Sequence, residues 1–89
     1  MKAIVTVIGH DTVGIIAAVS TYLAEAGVNI LDISQTIMGG MFTMIMMVDT
    51  SASDKSFEVL SHELETIGTR LGVSTTLQSE KIFDSMHRL

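Results

Sequence analysis

Residues 2–30 read KAIVTVIGHDTVGIIAAVSTYLAEAGVNI, and the change of period inside this stretch decides the fold. From Lys2 to Ile8 both alternating faces are apolar, with Ala3, Val5 and Val7 on one and Ile4, Thr6 and Ile8 on the other. A strand of that kind belongs in the middle of a sheet. Gly9 to Gly14 breaks the alternation, and Asp11 and Thr12 both carry a short side-chain oxygen able to cap a helix N-terminus. From Ile15 the spacing turns helical: Ile15, Val19, Tyr22 and Ala26 share a stripe that Ile16 and Leu23 widen. Gly27 suits the left-handed position that ends a helix.

Working outward, Val28 to Met38 alternates again. Leu31, Ile33 and Ile37 are expected on one face, and Asp32, Ser34 and Thr36 on a wet one, as in an edge strand. Gly39-Gly40 supplies the positive φ angles of a tight hairpin. Met41 to Val48 is apolar on both faces, so it is expected to be the second central strand. The polar loop Asp49 to Asp54 offers several N-caps. Phe57, Leu60, Leu64, Ile67 and Leu71 then mark an amphipathic helix, with Arg70 in its last turn and Gly72 behind it. Val73, Thr75 and Leu77 alternate with Ser74, Thr76 and Gln78 as a fourth, edge strand. The tail, Lys81 to Leu89, has Ile82, Phe83 and Met86 placed for a short helix.

The order is βαββαβ, an α+β ferredoxin-like fold with a four-stranded antiparallel sheet and both helices on one face. The expected strand order is second, third, first, fourth. The chain reads as a single domain over residues 1–89, a core at 1–79 and a C-terminal tail helix at 80–89. The central strands are apolar on both faces while two helices cover only one. The tail, a second subunit or both must shield the rest, so a homo-oligomer, a dimer first of all, is expected.

Composition narrows the function classes. The 89 residues are 47% hydrophobic and 17% charged, with seven methionines against three Phe and one Tyr, which suits an adaptable core or interface. The net charge is −5, and Lys2, Lys55, Arg70, Lys81 and Arg88 are scattered. Nucleic acid and anionic membrane surfaces both require clustered cations, so neither is an expected partner. The absence of cysteine removes disulfides, thiolate nucleophiles and Cys-ligated metals. With no signal-peptide pattern and no apolar run near the ~20 residues that span a bilayer, a cytoplasmic location is expected.

Candidate chemistry concentrates in the turn from Gly9 to Ile15. A helix N-terminus presents unpaired N–H groups and a partial positive charge to a carboxylate. Gly14 lets a ligand approach the backbone, and Asp11 beside it is suited to an ammonium group. Together they match the two ends of an amino-acid zwitterion. The plainer reading makes Asp11 an N-cap and Gly14 a packing device. Asn29, opening the second strand, has an amide that both donates and accepts, or is an ordinary turn residue. His10-Asp11 has no nucleophile beside it. His62 and Glu65, spaced i, i+3, are a solvated helix face rather than half a metal site, and His87 is a cation near a helix end. Gly39-Gly40 lacks the Gly-Lys-Ser/Thr of a phosphate loop.

The stretches Gly9 to Ile16 and Leu23 to Ile30 resemble the ACT domain family, in which a polar turn closing on Arg-Pro-Gly leads into a helix and Gly-Val/Ile-Asn-Ile opens the second strand. The likeness runs through Gly39-Gly40 and the second helix, and lies with the small stand-alone ACT proteins and the glycine-cleavage-system repressor group. The resemblance implies amino-acid binding at a subunit interface, one wall from the turn and another from the start of a partner's second strand. Asp11, Gly14 and Asn29 then fall at ligand-contacting places, with Thr12, Val13 and Ile15 flanking them. Thr12-Val13 stands where Arg-Pro is common, and Gly9 where some serine-binding members carry a histidine.

These readings give a regulatory module sensing an amino acid, without a cofactor, metal or catalytic residues, and acting on a regulated enzyme or regulator protein. The alternative is a protein–protein assembly module with no small ligand.

Overall fold

The computed structural model describes residues 1–86. Its elements are β1 (Lys2–His10), α1 (Ile15–Glu25), β2 (Asn29–Met38), β3 (Met41–Asp49), α2 (Phe57–Leu71), β4 (Val73–Ser79) and α3 (Glu80–Met86). The strands form one antiparallel sheet in the order β2-β3-β1-β4. The two strands that are apolar on both faces therefore lie in the centre, and the ferredoxin-like expectation holds.

Register shows how the core is built. Val5 pairs with Met46 and Leu77, and Val7 with Met44 and Thr75, so these side chains share one face. That face is buried together with Ile15, Val19 and Leu23 of α1 and Leu60 and Leu64 of α2. Removing a side chain such as Leu64, which is fully buried, costs about 2–5 kcal/mol. Thr75, the one buried polar side chain among the described residues, donates its hydroxyl to the Leu64 carbonyl at 2.6 Å. That bond fixes α2 against β4. Gly68 makes the approach possible, since a Cβ there would stand 2.5 Å from Thr75 Oγ1 and 2.8 Å from the Val73 carbonyl.

The element ends differ from the sequence expectation in two places. Neither Asp11 nor Thr12 caps α1; the N-cap is Gly14 at φ 92°, with no side-chain cap. The turn runs two residues further than expected because only a glycine readily takes that positive φ. Helix α2 is capped by Ser56, whose hydroxyl accepts from Val59 N–H at 3.2 Å, rather than by a residue of the Asp49–Asp54 loop.

The face assignment in β2 also needs correction. Register shifts between Ile30 and Asp32, leaving Leu31 as a bulge. Ile33 and Ile37 lie opposite the buried Met46 and Phe42, on the helix side, and Leu31 drops out of their alternation. An extra residue resets the period-two pattern.

The molecule is a slab with principal extents of 35 × 35 × 19 Å. One broad side is helical. The other is the bare sheet, of which α3 roofs only one end: it contacts β1 and β4, and Gln78 Nε2 donates to Met86 Sδ at 3.3 Å. There Ile4 is 4% exposed, while Ile8, Met41 and Ile45 on the same face stay open at 45%, 42% and 38%. The remainder of the expected tail helix, with His87, lies outside the described residues.

Candidate functional site

The turn after β1 is held by its backbone. Asp11 N–H donates to the Gly40 carbonyl at 2.9 Å, tying the turn to the tip of the β2–β3 hairpin. Gly39 and Gly40, at φ 58° and 82°, make that tip tight. Past Asp11 the chain swings through Gly14 into α1, whose first-turn N–H groups take no side-chain cap and carry the partial positive charge of a helix start.

A cleft of about 230 Å³ lies beside this turn. Asp11, Thr12, Gly14 and Ile15 line it from the turn, and Gln35, Ile37 and Phe42 from the hairpin. One carboxylate, a row of backbone donors and an apolar floor thus share one small space. Gln35, Ile37 and Phe42 were missed in the sequence. The signal for them was the hairpin itself: a two-residue turn at Gly39-Gly40 pairs Ile37 with Phe42, and Phe42 in turn with Gly9.

The other expected site residues are placed differently. Val13 is 98% exposed and stands outside the cleft. Ile15 is buried in the core and meets the cleft only at its edge. Asn29 lies opposite Asp49 at the far end of the sheet, so no single protomer brings it to Asp11. At Gly9 a Cβ would stand 2.7 Å from Val73 Cγ1, so a histidine has no room there. His10 pairs with Met41 on the bare face, away from the cleft. No group of three metal-ligating side chains occurs among the described residues, His62 and Glu65 included.

A larger groove of about 620 Å³ runs between α1 and α2 and shares Gly14 with the smaller cleft. The helices are clasped nearby by Glu63, which accepts from Tyr22 Oη and Lys55 Nζ, each at 2.6 Å. Lys55, then Tyr22, hold the Glu63 carboxyl below its ordinary value. Burial, then Glu63, pushes the Tyr22 phenol up.

A sequence model of the ACT domain matches residues 2–78, nearly the whole chain. The chain belongs to the ACT domain family. ACT domains are regulatory ligand-binding modules, and the match indicates no catalytic family. A UPF0237 protein of Clostridium acetobutylicum is 60% identical over 89 residues, covering 100% of both chains. An ACT domain protein from Streptococcus pneumoniae has a solved structure that superposes with a TM-score of 0.82 at 46% identity, over 94% of each chain. A formyltetrahydrofolate deformylase from Pseudomonas putida shares the fold at a TM-score of 0.79 but only 16% identity, over 29% of its own length. Among the described residues, no helix of this ACT domain is long and apolar enough to cross a membrane.

Proposed function

We propose that this ACT domain is a cytoplasmic regulatory module, not an enzyme, that senses a small amino acid between two copies of itself. The observation that carries the reading is the uncapped start of α1 at Gly14, facing a cleft that also holds the Asp11 carboxylate. The first-turn N–H groups would receive the ligand's carboxylate, and Asp11 its ammonium. A cleft of about 230 Å³ with Ile37 and Phe42 in its lining suits a ligand with a small side chain.

The missing wall comes from a partner. β2 is a ten-residue edge strand without proline or lysine, the kind of edge that accepts another strand. Two β2 edges paired antiparallel about a two-fold axis set Asn29 of one copy beside Met38, and hence the hairpin tip, of the other. Asp11 is bonded to that tip. Ligand binding then stabilises the arrangement in which the two copies are paired, which is how a signal reaches the regulated enzyme or regulator protein.

Isothermal titration against each of the twenty amino acids tests this, with Asp11→Ala as the control. Binding tighter than millimolar that the substitution removes is expected; its absence for all twenty leaves the reading without support. The second reading, an assembly module without a small ligand, is favoured by the bare sheet face around Ile8, Met41 and Ile45. It predicts a melting temperature that no amino acid changes and a protein that co-purifies.

A further inference from the structure

We propose that His10, Met41 and Met38 form a site for a soft monovalent metal ion, copper(I), at the tip of the β2–β3 hairpin. It stands apart from the amino-acid cleft and does not rest on it.

Register gathers the three side chains. His10 lies directly opposite Met41, and Met41 directly opposite Met38, so an imidazole and two thioethers make one row across β1, β3 and β2. All three turn away from the helices. Ile37 and Phe42, one residue along, turn toward the cleft, which places the two sites back to back across one hairpin. The bond from Asp11 N–H to the Gly40 carbonyl makes the neighbouring His10–Met41 pair a non-hydrogen-bonded one, a kind whose Cα atoms stand only about 4.5 Å apart. Met41 and Met38 close the two-residue turn as a hydrogen-bonded pair, at about 5.5 Å. Methionine has three rotatable bonds, so both sulfurs can swing to an ion held above Met41 by the imidazole.

The surroundings leave this row open. Met38 is 75% exposed and Met41 42%. His10 is exposed and makes no hydrogen bond or ion pair among the described residues. Pairing of β1 with β4 ends at Gly9 and Val73, so no strand side chain flanks His10 on that side. Helix α3 starts after Ser79, which pairs with Ala3 at the far end of β1.

The ligand set selects the ion. No group of three His, Asp or Glu side chains gathers among the described residues, and the chain has no cysteine. Neither zinc nor a hard dication therefore finds its usual ligands. Thioether sulfur is a ligand of another kind. Within the four strands, charged side chains occur on this face only at Lys2, Asp32 and Asp49, all toward the end where Asn29 sits. An uncharged set of one nitrogen and two sulfurs suits an ion of low charge, and soft thioethers prefer copper(I). Without a thiolate, and open to water, the site fits exchangeable copper rather than a resident cofactor.

Copper(I) titration of the full chain under anaerobic, reducing conditions tests this, with a chromophoric copper(I) chelator as competitor. One ion per chain, bound more tightly than micromolar, is expected, and zinc should not displace it. Met38→Leu and Met41→Leu keep volume and apolarity, and circular dichroism checks that they fold. Each should weaken binding by more than the roughly 10–100-fold that loss of an outer-shell contact costs, as should His10→Gln. Met47→Leu, on the same face at its other end, is the control and should bind as the wild type does. Silver(I), a redox-inert stand-in, should shift the methyl signals of Met38 and Met41 alone in spectra of isotopically labelled methionine. Wild-type binding no tighter than micromolar overturns the site. So do leucine variants that bind as the wild type does, which means an adventitious ion only, on the imidazole. One ion per two chains overturns the single-chain site in favour of a shared one.

Discussion

Asn29 and Asp11 stand at opposite ends of one sheet: Asn29 lies opposite Asp49, while Asp11 follows His10, which lies opposite Met41 at the other end of the nine-residue β3. Any site using both must be assembled from two chains. Asp11→Ala and Asn29→Ala should each abolish amino-acid binding, because every site then lacks one wall. Mixing the two variants restores one intact site in each mixed dimer, so calorimetric stoichiometry should recover to about a quarter of the wild-type value. No recovery on mixing would place both residues in one protomer's function, or neither.

Gly14→Ala isolates the backbone of the turn. A Cβ at Gly14 meets nothing within 4 Å, so its cost comes from φ 92° alone. The expected loss is about 1–2 kcal/mol of stability, read by urea unfolding. Relaxation of the turn to negative φ would redirect the first-turn N–H groups, so ligand affinity should fall in parallel.

At Gly68 the reason is space rather than angle. Gly68→Ala drives a methyl into Thr75 and the Val73 carbonyl, and about 1–3 kcal/mol of destabilisation is expected. Thr75→Val removes the hydroxyl that Leu64 accepts, at a cost of about 1–3 kcal/mol. Since both changes act on the same α2–β4 contact, their combination should cost less than the sum.

Glu63 and Asp49 set the acid limb of stability. Lys55 and Tyr22 hold Glu63 below its ordinary 4.5, and Ser51, with help from the N-terminus, holds Asp49 below 3.8. A carboxyl depressed by folding stabilises above its unfolded value, and that contribution is lost as pH falls through the folded value. The melting temperature should therefore decline below pH 4.5, and Glu63→Gln should flatten part of the decline. Tyr22 works in the other direction. Its phenol is raised from 10.0, so its contribution is present below that pH and lost as pH rises beyond it. Tyr22→Phe should soften the alkaline limb. Both carboxylates are at the surface, so salt should shrink the acid effect.

Fold and strand order were legible because each element repeats its signal. Val5, Val7, Met44 and Met46 state the buried face four times over, and one ambiguous residue does not change the answer. The ends of elements have no such redundancy. Asp11 and Thr12 have the chemistry of a cap, yet the backbone angle at Gly14 decides where α1 starts, and angle is not written in side-chain type. Leu31 looks like any apolar member of an alternating strand, and the bulge that removes it arises from pairing with β3. The cleft was half legible for the same reason. Its turn residues are contiguous, while Gln35, Ile37 and Phe42 reach it only through hairpin register.

The bond from Asp11 N–H to the Gly40 carbonyl joins the turn to the same hairpin whose outer strand is β2. Displacement at the turn is therefore felt at the rim. If pairing at that rim completes the pocket, occupancy and self-association obey one linkage relation and shift each other by the same factor. The apparent dissociation constant would then depend on how much protein is in the cuvette, making dilution itself a regulator.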